Sequence, residues 1–340
     1  MGDGFLDTKI KPNLGTTEPD VLIPTEFEGI LAISLPMRSV IQQIIEAAAA
    51  DIAVLITGET GTGKDLVAAA IHKRSNRSEK PYLAVNMGAM ASELIASELF
   101  GHERGAYTGA SEARAGIFEQ ARGGTIFLDE ITTMNDKTQI SLLRVLETHT
   151  IRRVRGDKNI EVDVRVIAAT NEDIEEAVKK GQFRKDLYYR LDVFRIHLPP
   201  LRERPGGVSL LTDHFVSHFD RLYKKDIRIV SPETYLCLRR YSWPGNIREL
   251  KNIVQRAVLL CKSAEFTPDL LPPRIRESAG GEANEAKPRP VQVGMSLAEI
   301  EKEFIKRTIS AVSGNKMKAA SILGISRRAL YNKLIKYGLL

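Results

Sequence analysis

The chain has little of what a secreted, metal-centred or membrane-spanning protein needs. Its 340 residues include only two cysteines, Cys237 and Cys261, far apart and without ligand partners nearby. A disulfide frame or a zinc site is not expected from them, and a reducing cytoplasm fits. No run of eighteen uninterrupted apolar residues occurs, and Met1–Asp20 lacks the basic-then-apolar order of a secretion signal. No membrane partner is expected. Histidine is scarce, at six. The pair His214 and His218 has helical i,i+4 spacing but no glutamate beside the first, and reads as a helix face. Internal repeats are also missing.

What is present is ordinary for a folded protein, 43% hydrophobic and 27% charged, with a net charge of +6. The charge is not evenly spread. Residues 296–340 hold nine Lys or Arg against three Glu, which accounts for the whole excess. Such a segment is either a solvated tail or a face for a polyanion.

Residues 1–28 are polar, broken by Pro12, Pro19 and Pro24, and form a short tail. From 29 to 200, apolar strand candidates (Ile52–Thr57, Tyr82–Asn86, Thr125–Leu128, Val164–Ala168) alternate with helical patterns such as Met37–Ala50, Lys64–Lys73 and Lys137–Glu147. That alternation predicts an α/β fold, a parallel sheet flanked by helices. Over 201–271 the strand signals fade. Leu210–Tyr223, Glu233–Tyr241 and Asn246–Cys261 read as helices of an all-helical subdomain. Residues 272–295 have a linker's composition, and 296–340 is helical again.

The strand ending at Thr57 runs into Gly58-Glu59-Thr60-Gly61-Thr62-Gly63-Lys64 and then a helix. Glycines let backbone N–H groups face phosphates, the helix N-terminus adds positive potential, and Lys64 reaches the terminal phosphates. Asp65 stands where Ser or Thr usually helps hold Mg²⁺. A second element, Thr125-Ile-Phe-Leu-Asp129-Glu130, ends a buried strand in two carboxylates. Asp129 suits the hydrated Mg²⁺ and Glu130 the attacking water, so the pair points to ATP hydrolysis rather than binding alone.

Four separated motifs carry a resemblance over Phe27–Leu271. They are Gly58–Asp65, Glu98-Leu-Phe-Gly-His-Glu-Arg-Gly-Ala-Tyr-Thr-Gly-Ala110, Thr125–Glu130 and Tyr241-Ser-Trp-Pro-Gly-Asn-Ile-Arg-Glu-Leu250. The stretch resembles the AAA+ domain of bacterial enhancer-binding proteins, the activators of sigma-54 RNA polymerase. The resemblance implies an AAA+ P-loop fold with a helical lid, with ATP and Mg²⁺ as cofactors. An acidic residue after the loop lysine is usual in that family, so Asp65 is a shortened version of it. The hexapeptide Gly105, Ala106, Tyr107, Thr108, Gly109 and Ala110 corresponds to a mobile loop that grips the sigma factor, with Tyr107 where phenylalanine is usual. Arg152-Arg153-Val154-Arg155-Gly156 resembles a second, shorter loop, with Arg155 at a position where the family generally has glycine.

Further roles follow from the same resemblance. Asn86 is similar to the residue that restrains the catalytic glutamate. Thr170 and Asn171 resemble the first sensor of the γ-phosphate, and Arg248 the second, on the lid. Arg184 and Arg190 resemble arginine fingers that reach a neighbour's ATP, which implies a homo-oligomer, from dimer to hexameric ring. Only about 28 residues precede the ATPase, so no receiver domain is expected there.

The final segment contains an amphipathic pattern over Ser296–Val312, then Asn315–Lys336 with Gly324 at a tight turn and Ser326 at a helix start. Ala319, Ala320, Leu323, Ile325, Leu330 and Leu334 can share one small core. Arg327, Arg328, Tyr331, Asn332 and Lys333 are left to face outward, the arrangement of a helix-turn-helix. It resembles the Fis-type module of many enhancer-binding proteins and implies enhancer DNA as partner. Arg327 and Arg328 can read guanine edges or hold phosphate. A DNA-binding repressor using ATP as a switch, or a motor acting on DNA itself, would leave the hexapeptide unexplained.

Overall fold

A computed structural model describes residues 24–106 and 112–280, and residues 305, 308, 316, 319, 320, 323 and 325–337 of the C-terminal region. The chain divides into two compact units, 1–279 and 280–340.

The first unit is built on five parallel strands, β1 (Val54–Thr57), β2 (Tyr82–Asn86), β3 (Thr125–Asp129), β4 (Arg165–Thr170) and β5 (Phe194–His197), in the order β5-β1-β4-β3-β2. Side chains alternate between the faces of a strand, so one continuous apolar strand supplies two cores. Ile126 and Leu128 of β3 join one core with Leu55, Val85, Val166 and Ala168; Phe127 joins the other with Val54, Ile56, Ile167 and Ile196. Helices α1 (Leu35–Ala49) and α2 (Lys64–Lys73) cover the second face through Ile44 and Ile71. The first face is covered by α3 (Ser92–Phe100) and α4 (Asp136–Thr148) through Leu99 and Leu142.

Four strands lie where the apolar runs predict them. The fifth does not announce itself, because β5 is an edge strand whose sequence Phe-Arg-Ile-His has only Ile196 fully buried. Two differences concern boundaries. The tail expected over 1–28 already contains a strand, Thr25–Phe27, paired antiparallel with Ile30–Ala32 across Glu28-Gly29. Both turn residues have positive φ, 48° and 79°, as a tight hairpin requires. The linker expected from 272 begins instead with a helix, Pro273–Gly280, whose Ile275 is fully buried among lid side chains. Pro273 suits the first turn of a helix as well as it suits a linker.

The lid consists of α5 (Gly207–Tyr223), α6 (Pro232–Arg240) and α7 (Asn246–Leu260). They pack around Trp243, the only tryptophan of the chain, which is fully buried and donates its indole N–H to the Leu238 carbonyl at 2.8 Å. In the second unit, α8 (Arg327–Tyr337) follows Ser326, whose hydroxyl accepts the Ala329 N–H at 3.2 Å. Ile305, Ala319, Ala320, Leu330 and Leu334 form its buried core, with Leu323 and Ile325 packed against it. This is the core the spacing predicts. Most of Ser296–Val312 lies outside the described residues.

Candidate nucleotide-hydrolysis site

Between β1 and α2 the backbone turns left-handed at Gly61 (φ 78°) and Gly63 (φ 97°). At Gly61 glycine is required twice over, since the Gly245 carbonyl oxygen of the lid occupies the space a Cβ would need. Lys64, 7% exposed, donates from Nζ to the Gly58 carbonyl at 2.8 Å and the Glu59 carbonyl at 3.2 Å. Burial pushes its ammonium pKa down, and Asp129, Glu130 and Asp65 oppose that shift.

The facing wall comes from β2 and β3, whose register sets Asn86 beside Asp129. Burial raises the Asp129 carboxyl, against the lowering effect of Lys64. Glu130 is in the left-handed region at φ 58°, a conformation that costs a non-glycine residue about 1–2 kcal/mol. It is held there locally. Its N–H donates to Asp129 Oδ1 at 3.0 Å, and its carbonyl accepts the Thr133 hydroxyl at 2.8 Å and the Thr133 N–H at 3.1 Å. The Glu130 carboxylate then lies over Gly88, where an added Cβ would overlap it. Asn86 caps the turn Met87–Ala89, its Oδ1 accepting the Ala89 N–H at 3.0 Å. Asn86 and Glu130 share no hydrogen bond among the described residues.

A cleft of about 310 Å³ brings together Thr60, Gly61, Gly63, Lys64, Asp65, Asn86, Asp129, Glu130 and Arg248. Gly58, Glu59 and Thr62 belong to the same loop without lining the cleft; the Thr62 hydroxyl donates to the Glu59 carbonyl at 2.7 Å. Thr170 is fully buried beside Thr57, and its hydroxyl accepts the Glu172 N–H at 3.0 Å. Asn171 reaches the loop instead, donating to Thr60 Oγ1 at 3.0 Å.

Arg184 and Arg190 are not in the cleft. Arg184 forms a two-point bond with Asp186, at 3.1 and 2.7 Å, and Arg190 pairs with Glu147 at 3.4 Å. Arg190 lines a different cleft with Asp51 and Arg165, residues at the N-terminal ends of β1 and β4. The phosphate loop lies at the C-terminal ends. Buried Gln139 fixes the segment before the first arginine. Its amide donates to the Gln182 carbonyl at 3.0 Å, and its Oε1 accepts the Arg184 N–H at 2.8 Å.

Several residues that shape the cleft are not picked out as site residues by the sequence. Arg202, Arg204 and Asn246 join the lid to the phosphate loop. For Asn246 the signal is its place inside the motif Tyr241–Leu250, two residues before Arg248; Arg202 and Arg204 have no such signal.

Of the hexapeptide, Gly105 and Ala106 are described; Tyr107, Thr108, Gly109 and Ala110 lie outside the described residues. The stem of this loop is fastened to the second one. Val154 donates its N–H to the Gly101 carbonyl at 2.8 Å and accepts the Glu103 N–H at 3.2 Å. Arg153 bonds Glu119 at 2.9 and 2.8 Å and Glu103 at 3.3 Å. In the second unit, Arg327, Arg328 and Asn332 are exposed on α8, while Tyr331 and Lys333 are half-buried. The Lys316 ammonium sits 4.9 Å from the centre of the Tyr331 ring.

Comparison with known proteins agrees in all three segments. Residues 30–197 match the sigma-54 interaction domain, 202–288 the AAA+ ATPase lid domain, and 296–337 the Fis family of bacterial regulatory proteins. The regulatory protein AtoC of Escherichia coli (strain K12) is 43% identical over 317 residues, covering 92% of this chain and 68% of AtoC. The structure of NtrX from Brucella abortus in complex with ADP superimposes with a TM-score of 0.70 at 33% identity, covering 91% of this chain and 70% of NtrX. Its complex with ATP gives 0.68 at 33% identity, covering 90% and 68%. No helix among the described residues is long and apolar enough to cross a membrane. With its sigma-54 interaction domain, AAA+ lid and Fis-type helix-turn-helix, the chain belongs to the sigma-54-dependent transcriptional regulators.

Proposed function

We propose that this protein is a cytoplasmic transcription activator that binds enhancer DNA, assembles into a hexameric ring and hydrolyses ATP to remodel sigma-54 RNA polymerase holoenzyme. The observation that carries the reading is the meeting of Lys64, Asp129, Glu130 and Arg248 in one cleft, in a chain that also carries the sigma-54 interaction domain and a Fis-type module.

Loop N–H groups and Lys64 bind the phosphates. Glu130 orients the attacking water and accepts its proton as the bond to the γ-phosphorus forms and the bond from that phosphorus to the β,γ-bridging oxygen breaks, with ADP leaving. Thr170, Asn171 and Arg248 report the γ-phosphate, and Asn86 restrains Glu130 until it is sensed. Asp129, with Asp65, has the donor set for a hydrated Mg²⁺, which when bound neutralises charge on the phosphate oxygens. Positioning and charge stabilisation supply most of the rate, since phosphoryl transfer needs little covalent help from the protein. Arg184 and Arg190 act on a neighbour's nucleotide. Tyr107 and Thr108 deliver the resulting movement to the sigma factor, while Arg327, Arg328, Tyr331, Asn332 and Lys333 hold DNA.

The test is open-complex formation by purified protein with sigma-54 holoenzyme, ATP and a promoter. Intact ATPase activity without opening would sink the reading. Thr108→Ala is expected to leave hydrolysis in place and abolish opening.

A further inference from the structure

Several bonds join the lid to the phosphate loop, and three of them meet on the Glu59 carboxylate. The Glu59 carboxylate accepts two guanidinium bonds from Arg202, at 2.9 and 2.6 Å, and one from the Asn246 amide at 3.0 Å. The backbone carbonyl of Glu59 accepts the Lys64 ammonium at 3.2 Å. The lysine and the lid therefore hold the same residue, one through the main chain and one through the side chain.

Asn246 is the other half of the joint. It is fully buried, its φ is 49°, and its amide is bonded three times. Nδ2 donates to Glu59 and to the Thr60 carbonyl at 3.0 Å; Oδ1 accepts the Leu201 N–H at 2.8 Å. It thus ties together the phosphate loop, the segment that leads into the lid, and the first turn of α7. Two residues further on, Arg248 enters the cleft. The Ile247 and Arg248 N–H groups donate to the Gly61 carbonyl at 2.9 and 3.3 Å, so the start of α7 rests on the loop itself.

The Arg202–Glu59 pair is 43% and 41% exposed, and pairs of that kind add little to stability. What a two-point guanidinium–carboxylate bond fixes is orientation. We propose that Glu59 and Asn246 are positioning residues that transmit occupancy of the phosphate loop to the lid and so set the place of Arg248. The proposal rests on reading the cleft as an ATP site. Phosphates that claim the Lys64 ammonium draw it from the Gly58 and Glu59 carbonyls. The Glu59 carbonyl then keeps only its bonds from Thr62, within the loop, while its carboxylate stays bound to the lid, and the loop's adjustment passes through Asn246 and Arg202 to α7.

Hydrogen exchange over residues 246–260, with and without ATP, tests this in the full chain alongside steady-state ATPase kinetics. In the wild type, ATP slows exchange there several-fold. Glu59→Gln and Arg202→Gln lose that ATP-linked protection, and kcat falls roughly fivefold to twentyfold, the worth of about one hydrogen bond. KM for ATP changes less than about threefold, because phosphate binding by Lys64 is intact. Arg202→Lys restores part of both effects, which a purely structural role would not require. Asn246→Ala behaves like Glu59→Gln where its melting temperature is kept; where it is not, the Glu59 and Arg202 variants decide. A Glu59→Gln protein that retains both ATP-linked protection and kcat overturns the proposal. A wild type that binds no ATP overturns the reading of the cleft as well, and is told apart by that binding measurement.

Discussion

Arg155 donates from Nη1 to the carbonyl of Gly105 at 2.8 Å, so the shorter loop braces the base of the hexapeptide loop. Arg155 does this from the left-handed region, at φ 62°, where glycine is at ease and arginine is not. Arg155→Gly therefore removes a conformational cost of about 1 kcal/mol and a hydrogen bond worth about as much. The melting temperature is expected to stay within a few degrees. Exchange at the Glu103 and Ala106 amides should rise several-fold, ATPase activity should hold, and promoter opening should fall about threefold. Unchanged exchange at those amides would show that the brace is idle.

The Glu130 carboxylate depends on the bareness of Gly88. A methyl group at Gly88 must displace it, and a misplaced general base costs about 10²-fold or more in a step that relies on positioning. Gly88→Ala should lower kcat by about that factor while leaving ADP affinity nearly unchanged, since the loop and Lys64 are untouched. Isothermal titration with ADP, set beside the ATPase rate, checks it. Loss of ADP binding would mean that the whole β2 turn has moved.

Much of this site is legible in the sequence because the chemistry is local there. Gly58–Lys64 and Thr125–Glu130 are contiguous, each tied to a strand read from its own apolar run, and the register across β2, β3, β4 and β1 then brings Asn86, Asp129 and Lys64 together. What is not legible is pairing at a distance. Glu59 sits inside the phosphate motif, yet its side chain is committed to Arg202 and Asn246, 143 and 187 residues later. The left-handed backbone at Glu130 is equally hidden, since glutamate does not favour it, whereas at Arg155 the glycine usual in the resembling family is a sign of it. Edge strand β5 is not legible because half its side chains are polar and a central strand's hydrophobic run never forms.

The Glu59 joint also leaves a mark on acid stability. Hydrogen bonds from Arg202, and then from Asn246, hold its carboxyl at about 2, against 4.5 for an unperturbed glutamate. A depressed folded value means that its contribution is complete above pH 4.5 and is lost as pH falls toward 2. Wild type should exceed Glu59→Gln in stability by less than about 1 kcal/mol at pH 6, because the pair is partly exposed and screened. The gap should close between pH 4.5 and 2, and narrow in 1 M salt. The fluorescence of Trp243, buried in the lid, reports the unfolding. A gap that persists at pH 2 would show that Glu59 acts through shape and not charge.

Arg184 and Arg190 give the sharpest test of assembly. Neither lines the cleft of its own chain, and Arg190 lines another cleft with residues at the opposite ends of the strands. If they serve a neighbour, a chain without its arginine spoils the next site and keeps its own. Glu130→Gln has the converse defect, with fingers intact and no general base. Each variant alone should hydrolyse ATP at least about 10²-fold more slowly than wild type. Mixed in equal amounts, Arg190→Ala and Glu130→Gln place an intact finger beside an intact Glu130 in some neighbouring pairs, and a sizeable fraction of the wild-type rate should return. The recovered rate should also fall on dilution, as a site shared between subunits requires. A mixture no more active than its parts would confine Arg190 to its ion pair with Glu147 and remove the basis for a ring.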